Sequence, residues 1–194
     1  EGFWLVLKFL LDRLGWRQIG AHFVSENTVI ASELLRQKKV GVMVDVGAHV
    51  GSACKPFYTA GWHVLAYEPD HRTRQVLARR VGKFGRVRID SRAVADKSDV
   101  GVDFFSSAES DGIHGLSDFH SSHFLSEKVE VTTLATSLVE AGTNLVDYLK
   151  IDTEGNDLRV LQGLDWGRHL PDIVMCEFED VKSSTYGYSS KELY

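Results

Sequence analysis

From residue 40 onward, short β-branched apolar runs alternate with stretches whose apolar positions recur three and four residues apart. That alternation predicts an α/β domain, a mostly parallel sheet with helices on both faces. Residues 40–46 (VGVMVDV) are apolar enough for a central strand buried on both sides. A helix is expected at 52–60, with Pro56 in its first turn, where a missing amide hydrogen costs little. A second strand follows at 62–67, then a helix at 71–84 that buries Leu77, Val81 and Phe84, then a short third strand at 86–89. Val100, Val102 and Phe104 alternate as in a further strand over 100–105, and 128–132 alternates likewise. Between them 106–128 is polar and aperiodic, which reads as a long loop, either a functional lid or disordered. A short helix at 134–141, a core strand at 146–151 (VDYLKI), a helix at 157–164 and a core strand at 172–178 complete the pattern.

Ahead of this alternation, Phe3, Leu7, Leu10, Leu11 and Leu14 recur at helical spacing, so residues 1–39 read as a helical segment packing on the core. The run GFWLVLKFLLDRLG is interrupted by Lys8 and is shorter than the ~20 residues a membrane span needs. Trp4, Val6 and Phe9 make the far face apolar too, which leaves an interfacial anchor as the alternative. The chain starts at Glu1 and stops in SSKELY, which looks like the first turn of another helix. A fragment of a longer protein is therefore expected, truncated at the C-terminal end with more sheet beyond Tyr194.

With 194 residues there is room for one domain, and residues 40–194 are read as that domain. Hydrophobic content of 43% and charged content of 25% belong to a globular chain. A net charge of −5 offers no general attraction to nucleic acid or anionic lipid, so nucleic acid is not an expected partner. The two cysteines, Cys54 and Cys176, have neither disulfide-framework nor zinc spacing, and a reducing cytoplasm fits them best.

The sharpest chemical signal is DVGAHVG at 45–51, directly between a predicted buried strand and a helix. Gly47 and Gly51 permit a tight turn, Ala48 keeps it free of bulk, and free amides at the helix start, from Ser52 on, can hold a ligand carboxylate. A dinucleotide-binding turn would read G-x-G-x-x-G, but His49 stands at its second glycine. The G-x-x-x-G spacing favours the amino-acid end of S-adenosylmethionine, with Asp45 meeting its ammonium group directly or through water. Glu68, in AYEPD, lies 23 residues after Asp45 at the end of the next strand, where a carboxylate can bind a ribose diol. Asp90 and Ser91 end the third strand on the same rim and can meet an adenine amino group.

A third signal is LKIDTEGNDLRVLQGL, in which Asp152 and Glu154 are two apart at a strand end, an arrangement repeated by Glu177 and Glu179. Such carboxylates can flank a transferred methyl group, and a proton acceptor is drawn from Glu154, Glu177 or His49. Crowded acids also suit a hard cation or simple helix capping, and no metal ligand is assigned. His114, His120 and His123 lack ligand spacing and read as solvated loop histidines. Tyr186 and Tyr188 either wall a substrate pocket or belong to a surface loop.

In content and order, VDVGAHVG, YEPD, RAVADKSD, VEVTTL, LKIDTEGNDLRVLQGL and PDIVMCEFE resemble the FkbM family of methyltransferases over roughly residues 40–180. The resemblance implies a Rossmann-like class I methyltransferase fold, S-adenosylmethionine as donor, and a hydroxyl acceptor on a sugar or secondary metabolite. By matching position it implies cofactor contacts at Asp45, Gly47, Gly51 and Glu68, and places Asp152 and Glu154 at the active rim. His49 replaces a common asparagine, Ala135 a frequent acid and Asp157 a usual glutamate, and the family's sheet has two further strands. The competing readings are a nicotinamide-dependent oxidoreductase, disfavoured by the missing middle glycine, and a non-catalytic binding or scaffolding domain on the same fold.

Overall fold

The computed structural model describes residues 25–109, 113–177, 180–189 and 192. The apolar stripe expected between Phe3 and Leu14, and the expected acid Glu179, lie outside the described residues. Ser25 opens the described chain by accepting a hydrogen bond from the Thr28 amide, which caps α1 (Glu26–Gln37). There follow β1 (Val42–Val46), α2 (Lys55–Thr59), β2 (His63–Tyr67), α3 (His71–Val81), β3 (Val87–Asp90) and the two-residue β4 (Ala93–Val94). Then come β5 (Asp99–Ser107), β6 (His123–Thr132), α4 (Leu134–Glu140), β7 (Tyr148–Ile151), α5 (Asp157–Gln162), β8 (Ile173–Cys176) and α6 (Asp180–Ser183).

Five strands form a parallel sheet in the order β3-β2-β1-β7-β8. The chain leaves β1 toward β2 on one side and returns to pair with β1 on the other as β7. The carboxyl end of β1 is therefore the point where connections diverge, the usual place for a ligand crevice in such sheets. Side chains alternate across β1. Met43 faces Phe57, Trp62, Leu77 and the α1 residues Ile30 and Leu34, whereas Val44 and Val46 face Leu134, Leu138 and Val160. Both faces are covered, and this is why β1 reads as an almost unbroken apolar run. Asp45 interrupts the run on the Met43 face, where it is fully buried.

The stretch 106–128 departs from expectation. β5 runs on to Ser107 and β6 begins at His123, and the two pair antiparallel with irregularities between Asp99 and Val102 and between Phe104 and Phe105. The connection shrinks to 108–122. It leaves no apolar alternation in the sequence because this end of the ribbon stands clear of the core, with Phe124 and Leu125 exposed. Buried Ser106 and Ser107 lie instead 2.8 and 2.7 Å from the hydroxyls of Ser126 and Ser122. Gly115 then returns to β5, exchanging two backbone hydrogen bonds with Phe105 at 2.8 and 3.0 Å. His123 is correspondingly not solvated. Its side chain is fully buried, Nε2 lies 2.6 Å from the Ile113 carbonyl, and the ring meets Phe119 edge-on. His120 alone of the three loop histidines is exposed.

Candidate active site

Beyond Val46 the chain folds back over the end of β2, with the amides of Gly47 and Ala48 both donating to the Tyr67 carbonyl at 3.1 and 3.0 Å. Gly47 has φ 75°, and a Cβ there would lie 1.9 Å from the Asp152 carbonyl oxygen. Glycine is thus required by the packing of this turn against the end of β7, before any ligand is considered. His49 also lies in the left-handed region, φ 50°, and its amide donates to Glu68 Oε2 at 2.8 Å. The other carboxylate oxygen of Glu68 accepts from the Asp70 amide at 2.9 Å. The acid at the end of β2 therefore clamps the glycine turn to the start of α3. Burial pushes the Glu68 carboxyl up to about 7, against the pull of those two amides.

Above this turn opens a cavity of about 330 Å³, within the range of small-molecule sites. Gly47, Ala48, His49, Ser52, Glu68, Asp152 and Glu154 all reach its wall. Pro69, Ala93 and Val94 make one side apolar, and Phe104, Gly115 and Leu116 of the β5–β6 ribbon bound it as well.

Other expected residues are placed elsewhere. Gly51 stands behind the wall, where a Cβ would lie 2.7 Å from Leu77 Cδ1. Asp90 and Ser91 do not reach the cavity. The Asp90 carboxylate is held by Arg92, with Oδ2 2.7 Å from Nη2, because Arg92 follows it by two residues and folds back over the strand end. Burial would raise the Asp90 carboxyl, but this guanidinium outweighs it and holds the carboxyl below its ordinary value. Tyr186 and Tyr188 are not on the cavity wall either. The Tyr188 hydroxyl instead donates to the Gly155 carbonyl and accepts from the Leu158 amide, fastening the turn after β7 to the segment that follows α6.

Asp45 also fails to reach the wall. The register that pairs it with Lys150 on β7 puts the Lys150 ammonium 3.2 Å from Asp45 Oδ1, and it is Lys150 that lines the cavity. The same ammonium donates to the Gly47 carbonyl at 2.8 Å and lies 3.3 Å from Asp152 Oδ2. Burial raises the Asp45 carboxyl and Lys150 opposes it; for Lys150, burial lowers the ammonium's value, but Asp45 and Asp152 prevail and raise it. Lys150 is the cavity residue that sequence reasoning missed. Its signal was present, a charge flanked by Tyr148, Leu149 and Ile151 in a strand read as core, a position that lysine occupies only when paired.

Asp152, Glu154 and Glu177 do converge, with one oxygen of each within 4.8 Å of the others. They meet because Glu154 takes a left-handed φ of 56° in a turn, whereas the expected geometry was extended strand. Gly155 follows at φ 95° and presses against Lys182, whose carbonyl carbon a Cβ would meet at 2.6 Å. Lys182 places its ammonium 2.7 Å from Glu154 and 3.0 Å from Glu177. Two of the three acids that suit a hard cation thus already share the Lys182 ammonium. Burial pushes Glu154 up to about 7 although Lys182 pulls the other way, and Asp157 rises to about 7 for the same first reason. Glu154 faces the cavity and Glu177 does not.

A parallel sheet with a glycine turn after β1 and an acid closing β2 defines a Rossmann-like α/β domain with a crevice at its switch point. Residues 45–192 match the methyltransferase FkbM domain, and the chain belongs to the FkbM methyltransferase family. No curated protein matches it. Among solved structures, the chain is similar to the methyltransferase FkbM from Methylobacillus flagellatus KT, at 20% identity and TM-score 0.45, over 68% of this chain and 31% of that one. It is also similar to a putative caffeoyl-CoA O-methyltransferase from Staphylococcus aureus, at 10% identity and TM-score 0.43, over 82% of this chain and 58% of that one. An O-methyltransferase from Thermotoga maritima described as SAM-dependent aligns at 21% identity and TM-score 0.33, over 47% of this chain and 36% of that one. The chain thus spans under two thirds of each of these proteins. No helix among the described residues is long and apolar enough to cross a membrane.

Proposed function

We propose that this chain is an S-adenosylmethionine-dependent O-methyltransferase acting on a hydroxyl of a sugar or secondary metabolite in the cytoplasm. The observation that carries the reading is the charge layout of the cavity. Glu68 stands on one part of the wall, and the Lys150–Asp152 pair stands on another. A carboxylate suits a ribose diol, and an adjoining cation and anion suit the carboxylate and ammonium of an amino acid. Pro69, Ala93 and Val94 offer the apolar surface that a purine ring needs. Asp45, in this reading, does not touch the donor and holds Lys150 in place from behind.

When bound, the donor supplies a methyl group on a positively charged sulfur. Since charge disappears on transfer, the protein's task is to align the acceptor oxygen with that carbon, exclude water and receive the hydroxyl proton. Of the acceptors expected for that proton, His49 and Glu154 are on the cavity wall. Calorimetry with S-adenosylhomocysteine tests the reading on the wild type and on Glu68→Ala. Binding in the micromolar range, about −7 to −8 kcal/mol, is expected for the wild type and at least a roughly tenfold loss for the variant. Equal affinity in both proteins, or tighter binding of NAD, would overturn the assignment.

A further inference from the structure

Between Val46 and Ile89 the chain carries eight lysines and arginines and only two acids, Glu68 and Asp70, both buried. The surface made by α2, α3 and the approach to β3 thus has no exposed acid of its own, in a chain whose net charge is −5. Arg72 and Arg79 stand two turns apart on the side of α3 turned away from buried Thr73, Leu77 and Val81. Arg80, Lys83 and Arg86 extend the row, and all five are exposed. Arg80 and Arg86 donate to the carbonyl oxygens of Val50 at 3.1 Å and Gly61 at 2.6 Å, and Lys83 stands 5.4 Å from the centre of the Phe84 ring. Such contacts orient a cation without neutralising it.

None of the five has an ion-pair partner among the described residues, whereas Arg36, Lys128 and Arg159 pair with Glu33, Asp103 and Asp96. Glu127 borders the row at the start of α3, where it accepts from the His71 amide at 3.0 Å. Arg79, Arg80, Lys83 and Arg86 line neither the first cavity nor the second one beside the start of α3, so the row is a surface distinct from the candidate active site. A solvated helix face ordinarily mixes charges of both signs, because like charges in a row repel. Two turns of helix are about 11 Å, close to the screening length of physiological salt, so the fields of these cations add. The row therefore suits an extended anionic surface better than a single small anion.

The rest of the same helical layer indicates which surface. Ile30, Ala31 and Leu34 of α1 share one core with Leu77 and Val81 of α3, so both helices cover the same face of the sheet. The run GFWLVLKFLLDRLG, which leads toward α1, lies outside the described residues; its sequence sets Trp4, Val6 and Phe9 opposite the stripe of Phe3, Leu7 and Leu10. A nucleic-acid backbone makes use of cations alone. An anionic lipid surface takes both features, its phosphates meeting the row and its acyl boundary the apolar run, and stable attachment needs two such signals.

We propose that the outer face of α3, with Arg72, Arg79, Arg80, Lys83 and Arg86, docks the protein on an anionic lipid surface together with the N-terminal apolar run. The full chain is to be sedimented with vesicles of phosphatidylcholine alone and with vesicles containing about one third phosphatidylglycerol. Binding to the anionic vesicles alone is expected, weakening at least tenfold between about 0.1 and 0.5 M salt. Each cation at such a surface strengthens binding about fivefold, so Arg79→Gln, Lys83→Gln and Arg86→Gln together should lower the partition coefficient about a hundredfold. Lys97→Gln, Lys128→Gln and Arg168→Gln together change the net charge equally on other surfaces and should stay within threefold of wild type. Trp4→Ser with Phe9→Ser should cost at least tenfold at unchanged charge. Unfolding midpoints matched to wild type keep each comparison to folded protein. Equal binding to neutral vesicles, a row variant no weaker than the control variant, or indifference to the Trp4 and Phe9 changes overturns the proposal. So does tighter retention by duplex DNA than by the anionic vesicles at equal salt, which would make the row a nucleic-acid face.

Discussion

Replacing Lys150 by methionine should unfold much of the protein's margin of stability, and the size of the loss follows from what the ammonium neutralises. Asp45 is fully buried and faces Lys150 at 3.2 Å. At an effective dielectric constant near 20 a pair at that separation attracts by about 5 kcal/mol, and the desolvation of both ions offsets much of it. Methionine keeps the volume of the lysine stem but leaves the Asp45 charge without a counter-ion, a change that costs about 3–5 kcal/mol in buried pairs. The hydrogen bond to the Gly47 carbonyl goes with it. For a urea slope of about 2–3 kcal/mol per molar, the unfolding midpoint at pH 7 should drop by about 1–2.5 M. Lys150→Met combined with Asp45→Asn removes both charges and should recover most of that drop. Without Lys150, burial acts unopposed to raise the Asp45 carboxyl, so the deficit of the single variant should shrink progressively as the pH is lowered. A single-variant deficit under about 1 kcal/mol, or a double variant no better than the single, would show that the pair does not hold this turn.

Gly47→Ala should fail to give folded protein, because φ 75° strains any other residue and the new Cβ would sit 1.9 Å from a backbone carbonyl; a native-like circular dichroism melt for this variant would contradict the packing described. The whole chain should be more stable at pH 5 than at pH 8. Glu68, Glu154 and Asp157 each rise to about 7, so in the folded state they keep protons that the unfolded chain releases from about pH 4 upward. Stability then falls as pH climbs through that window. Glu68 alone, moving from 4.5 to about 7, contributes roughly 3 kcal/mol. Urea midpoints that are flat or rising from pH 5 to pH 8 would count against it.

Much of the scaffold is legible in the pattern of apolar residues. A strand buried on both faces must be apolar on both, and a covering helix must carry a stripe, so β1, β2, α3, β7 and β8 all announce themselves. Glu68 is equally visible, being an acid set at the end of a strand next to a glycine turn. The β5–β6 ribbon is not, because its outer half buries little and therefore carries no periodic signature.

What the sequence by itself determined is the order of the strands and helices of the parallel sheet, the glycine turn and the family to which the chain belongs, since each depends on neighbours along the chain. Only the tertiary structure decided which charges meet. Parallel pairing across β1 brings Lys150 to Asp45, over a hundred residues away, and turns the expected ligand-binding acid into the buried partner of a lysine. A left-handed turn brings Glu154 to Lys182, and the exchange of hydrogen bonds between Gly115 and Phe105 carries His114 to Asp70. Register and backbone handedness are set by the packing of the whole domain, so no local pattern could record them.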